Sequence, residues 1–245
     1  MKTKHPVLKK VSWSFWYGVG MALLEAVVVI YLRELYYPQG FRFPLAPMDW
    51  NIYKIEVLRE VGTLLMLVCV SALAAENFTT WLAYFLFNFA MWDIFYYGWL
   101  KVLLNWPASL MEWDILFLIP ITWDGPVLSP LLCTVAMLVL AGVILFHHQR
   151  GASVKINAGE WALLLGGALL VFISFIWNYT SFMLQGGYLK DLATLGSNIA
   201  FQQASAAFVP PGFQWGIFFS GYGLIWSAIV LLARRSRQHS NGPQK

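Results

Sequence analysis

Six long apolar runs alternate with short polar stretches along this chain of 245 residues. They cover approximately residues 12–34, 55–75, 80–104, 127–147, 160–182 and 212–233. A bilayer core of roughly 30 Å takes about 20 helical residues, so each run is long enough to cross one. Two connections break the pattern. Residues 105–126, NWPASLMEWDILFLIPITWDGP, hold an apolar core of only about ten residues, closed by Pro120. That is too short to span and predicts a re-entrant or interfacial half-helix. Between 183 and 211, Leu189, Leu192, Leu195 and Ile199 recur at helical spacing before Pro210-Pro211. This predicts an amphipathic helix on the outer face. The expected fold is an all-α polytopic membrane bundle, one domain of about six transmembrane helices plus the re-entrant or interfacial segment.

Composition sharpens the class. Only 11% of residues are charged and 59% are hydrophobic, with a mean hydropathy of +0.62. Soluble domains carry about 25% charged residues, so a soluble core of this size would lack a surface. Long unbroken apolar runs also exclude a barrel, whose strands alternate over roughly ten residues. The first run continues past Glu25 without a small-residue cleavage site, so it is expected to stay as a signal anchor.

The net charge of +4 invites a nucleic-acid reading, but the positions of the charges oppose it. Lys2, Lys4, Lys9, Lys10, Arg150, Lys155, Arg234, Arg235, Arg237 and Lys245 fall on one side of a six-helix topology. Arg33, Arg42, Lys54, Arg59, Lys101 and Lys190 fall on the other. Ten against six predicts cytoplasmic N- and C-termini, at 1–11 and 234–245. The partner implied is the lipid bilayer and no nucleic acid; no residue pattern names a protein partner.

Candidate chemistry gathers in the first three runs. Successive helical residues turn 100°, so Asp93, Tyr96, Tyr97 and Lys101 form one polar stripe on the third helix. Trp92 and Trp99 fall to one side and are expected to face lipid or the interface belt. Glu56, Arg59 and Glu60 repeat the device on the second helix. The first carries Glu25 deep in its run and ends on Arg33 and Glu34. At 1.5 Å per residue, Asp93 and Glu25 lie about 16 and 13 Å from the outer helix ends, in one buried layer. Arg33, Arg59, Glu60 and Lys101 form a shallower layer, with Asp114 of the broken segment as a cap.

A charge at the bilayer centre costs about 2.5–3.5 kcal/mol, so these groups must converge on one interior site. Glu25, Glu34, Glu56, Glu60, Asp93 and Asp114 oppose Arg33, Arg59 and Lys101, six acids to three bases. At least one acid, Glu25 or Asp93, is therefore expected to carry a proton or bind a cation. Three readings follow. A functional site for a proton, cation or small polar solute predicts a hydrated path. A membrane enzyme acting on a lipid or isoprenoid predicts a pocket open sideways to lipid beside Asp93, with no cofactor implied. A structural ion-pair network or assembly subunit predicts a dry cluster with every carboxylate paired and no cavity.

Other features carry little chemistry. Cys69 and Cys133 lie in apolar runs and read as small core residues, not a bridge or a metal site. His147 and His148 point about 100° apart and do not jointly chelate a metal. Asn77-Phe-Thr and Asn178-Tyr-Thr match glycosylation sequons but fall on the inner side and at a helix end. Gly18, Gly20, Gly166 and Gly167 read as close helix packing.

RELYYPQGF at 33–41, EVLRE at 56–60, WDIFYYGWLK at 92–101, and the run from Trp106 to Pro130 resemble a family of bacterial multi-pass membrane proteins with no established activity. The resemblance covers roughly residues 25–135 and implies a bacterial inner-membrane setting, without a function.

Overall fold

A computed structural model describes residues 6–151 and 154–240. Lys2, Lys4 and Lys245 of the predicted basic tails lie outside them. The fold is all-α, with one small hairpin. Each predicted apolar run is helical: α1 is Pro6–Tyr36, α2 Trp50–Ala74, α3 Phe78–Leu104, α4 Leu128–Gln149, α5 Ala158–Gln185 and α7 Trp215–Ser240. Five of these are long and apolar enough to cross a membrane, which makes the chain an integral multi-pass membrane protein. The exception, α3, has the length but too many polar and aromatic residues. It is also the helix with most neighbours, packed against α1, α2 and α4.

The long helices alternate in direction, and capping side chains fix their starts. Asp49 caps α2, Asn77 caps α3 in a capping box with Thr80, and Asn157 caps α5 in one with Glu160. At the end of the bundle where α1 begins, Lys10 pairs with Glu76 at 3.1 Å, and Arg235 pairs with the buried Glu160 at 2.7 Å. Of the two sequons, Asn77 is an exposed helix cap and Asn178 is buried against Asp124.

Small residues set two close approaches. A Cβ on Gly18 would lie 2.7 Å from Met91 Cβ, so α1 and α3 touch there. Gly167 and Gly221 face each other across α5 and α7, each with the other's carbonyl oxygen 2.6 Å from where a Cβ would stand. Gly20 and Gly166 make no such approach. Cys69 is exposed on the outer face of α2 and is not a core residue.

The segment between α3 and α4 corrects the half-helix expected there. Strands β1 (Trp113–Phe117) and β2 (Trp123–Pro126) pair antiparallel, Asp114 opposite Gly125 and Ile115 opposite Asp124. The hairpin dips into the bundle, its tip meeting α2 and its second strand packing on α5. Backbone at that depth is tolerated only where its polar groups find partners. The Leu118 N–H at the tip donates to both oxygens of buried Glu60, at 3.1 and 2.9 Å. Trp123 Nε1 donates to the Ile119 carbonyl at 2.8 Å.

The expected single amphipathic helix at 183–211 is two short pieces, a 3-10 helix at Tyr188–Ser197 and α6 at Ile199–Ala206. Asn198 stops the first and caps the second, accepting from Phe201 N. Leu195 and Phe201 turn inward, whereas Ile199 is exposed. The Leu192 side chain lies outside the description.

Candidate functional site

A cavity of about 990 Å³ lies among α1 to α5, the hairpin and the 3-10/α6 cover. Nine of the eleven sequence candidates border it: Glu25, Arg33, Glu56, Arg59, Glu60, Asp93, Tyr96, Tyr97 and Asp114. Glu34 and Lys101 do not, and both are exposed. Glu34 sits nine residues from Glu25, which is half a turn out of phase. Lys101 has the right phase but lies one turn from the helix end. Its ammonium reaches out to the carbonyls of Pro107 at 3.1 Å and Asn105 at 3.4 Å, closing the loop rather than joining Arg59 and Glu60.

The remaining charges have defined partners. Arg59 makes a two-pronged contact with Glu56, Nε to Oε2 at 3.0 Å and Nη2 to Oε1 at 2.7 Å. Its third nitrogen bridges α2 to α1 through Glu25. Arg33 donates to Asp114 Oδ1 at 3.2 Å and stacks on Trp106, 3.8 Å from the ring centroid, with Phe41 beside it. Glu60 serves the hairpin tip. Asp93 makes no hydrogen bond or ion pair among the described residues, although it borders the cavity.

Without Glu34 and Lys101, five of the expected acids and two arginines line the site, and both arginines are engaged. Among these candidates the excess of three negative charges persists, and Asp49, the α2 cap, borders the cavity as a sixth acid. Asp114 is 3% exposed, and among the described residues its Oδ2 lacks a well-formed hydrogen bond, with the Tyr97 hydroxyl nearby. Burial pushes its carboxyl up to about 6, against the Arg33 guanidinium, which lowers it.

Trp92 corrects the lipid-facing reading. It is buried between α1, α2 and α3 against Met21, Ala22 and Leu67, and borders the cavity. Its indole N–H has no partner. Trp99 is half-buried and donates to the Val19 carbonyl of α1 at 3.1 Å. With neighbours on three sides, α3 leaves little flank for lipid.

Sequence reasoning missed the far wall, formed by Trp123 on β2, Cys133 and Met137 on α4, and Phe175 and Tyr179 on α5. It also missed Asp124, which is 1% exposed and accepts from Asn178 Nδ2 at 3.1 Å. Burial pushes Asp124 up to about 7, against the lowering effect of the Asn178 hydrogen bond. The dipeptide Trp-Asp recurs ten residues apart, at 113–114 and 123–124 on either side of Pro120, and each copy opens one strand.

Among the described residues, no group of three His, Cys, Asp or Glu side chains is placed to hold a metal ion. No family model, curated protein or solved structure matches the chain.

Proposed function

We propose that this protein binds or relays a proton, cation or small polar solute in its acid-lined cavity, within a bacterial inner membrane. The observation that carries this reading is Asp93 of α3, which borders a cavity of about 990 Å³ and has no hydrogen bond or ion pair among the described residues. A carboxylate facing such a space draws a positive charge or a proton, because neither arginine is free to neutralise it. In this reading α3 is the sixth span and both termini are cytoplasmic. Support comes from the ten-to-six charge count, and from Lys10 and Arg235 meeting the α2–α3 and α4–α5 connections. The bacterial setting rests on the resemblance over residues 25–135.

A purely structural network is disfavoured, because it needs paired carboxylates and no cavity. A lipid- or isoprenoid-acting enzyme is favoured by one observation, the cavity's large apolar wall. It would use Asp93 or Glu25 as the acid.

The test is Asp93→Asn, followed by thermal unfolding in detergent and by mass spectrometry of co-purified small molecules. Retained folding with a lost ligand is the expected result. Loss of folding with no change in bound molecules would instead assign Asp93 to the scaffold.

A further inference from the structure

The packing leaves one side of the cavity unsealed. α2 packs on α3, α3 on α4, α4 on α7 and α7 on α5, forming an arc around the hairpin. The arc is weakest between α2 and α5, which both border the cavity without close helix–helix packing, apart from Trp50 of α2 and Met183 of α5 in one apolar cluster at the covered end. Toward the hairpin end the space is covered. Trp50 stands against Gly196, and Ile121 packs with Leu195 and Phe201. Between two helices that span a membrane, such a gap would open sideways toward lipid.

The lining divides by chemistry. Among the described residues Asp93 makes no hydrogen bond or ion pair, and Asp114 Oδ2 is buried with only the Tyr97 hydroxyl near its carboxylate. Around them stand Trp92, Tyr96 and Tyr97, whose ring faces attract cations. Phe117, Trp123, Met137, Val171 and Phe175 form an apolar remainder. A volume near the top of the range for drug-sized ligands, roughly 300–1,000 Å³, exceeds what an ion or a small solute needs.

Resting on the solute-binding reading above, we infer that the cavity takes a membrane-dissolved amphiphile with a positively charged amine head, admitted between α2 and α5 and held at Asp93 and Asp114. The acid excess repels anionic heads, and the apolar wall takes the hydrocarbon tail.

Cys133 borders the cavity and serves as a reporter once the exposed Cys69 is replaced by Ser. In lipid nanodiscs, the rate of Cys133 alkylation by N-ethylmaleimide is measured with dodecylamine, dodecanoate or butylamine. Dodecylamine is expected to slow the reaction at least fivefold, and dodecanoate and butylamine less than twofold. Asp93→Asn is expected to remove the protection. If that variant fails to fold, Met137→Trp, which fills the apolar end, is expected to do the same. Equal protection by dodecanoate, or protection that survives both substitutions, overturns the inference. Protection by butylamine as strong as by dodecylamine, lost in Asp93→Asn, overturns the amphiphile while leaving the solute site intact. No protection by either amine, with Asp93→Asn silent in the mass spectrum, overturns both.

Discussion

Asp124 offers the sharpest measurement, because its buried carboxyl ties stability to pH. Its side chain is 1% exposed on β2, with Oδ1 held by Asn178 and Oδ2 without a partner. Burial moves it from 3.8 to about 7. A folded-state value above the unfolded one means that the fold prefers the protonated acid. The stabilisation is complete below pH 4 and is lost as pH rises through 7. At about 1.36 kcal/mol per pH unit, the loss between pH 5 and pH 8 is about 3 kcal/mol. Asp114, raised to about 6, adds about 1 kcal/mol over the same interval with the same sign. The assay is unfolding by increasing mole fraction of sodium dodecyl sulfate in mixed micelles, followed by tryptophan fluorescence at both pH values. Asp124→Asn keeps a neutral side chain of the same shape and should reduce the slope by about 3 kcal/mol over this interval. A wild-type protein no steeper than Asp124→Asn would refute the reasoning, since Asp124 would then be ionised in the fold.

Three further outcomes follow from the packing. Glu60→Ala strands the Leu118 N–H at the hairpin tip and should cost about 2–3 kcal/mol in the same titration. Glu60→Gln keeps one acceptor and should cost less. Gly167→Ala puts a Cβ 2.6 Å from the Gly221 carbonyl oxygen and should cost about 1–3 kcal/mol, whereas Gly166→Ala, 4.0 Å from Leu224, should be neutral within the error of the titration. Arg33→Lys keeps the charge beside Asp114 but loses the planar stack on Trp106, and should lower stability by about 1 kcal/mol.

The helices were legible because span length and apolar runs are local properties, and the Glu56–Arg59 pair because i,i+3 neighbours meet on any helix. The exclusion of Glu34 was also within reach of helical phase, since nine residues place it half a turn from Glu25 on the same helix. The hairpin was harder. An apolar run of four to eight residues reads equally as a buried strand or a helix segment. Here the decision came from tertiary partners: Glu60 offers an acceptor to the tip, Asn178 a donor to β2, and α5 a wall. None of these is adjacent in sequence to the segment it stabilises.

That dependence also explains why Glu60 and Asp93 diverge although both began as members of one charged layer. Each is an acid on a helix that faces the bundle interior. Glu60 meets a backbone N–H that has no other acceptor at that depth, so its position follows from the hairpin. Asp93 faces the space the hairpin leaves unfilled and makes no hydrogen bond or ion pair among the described residues. In an apolar medium an unpaired carboxylate is costly, and replacing Asp93 with a residue that packs would be the cheaper way to build the same fold. A scaffold role accounts for Glu56, Arg59, Glu60 and the Arg33–Asp114 pair, each with its partner at hydrogen-bond distance. It does not account for Asp93, and that remainder directs attention to what enters the cavity.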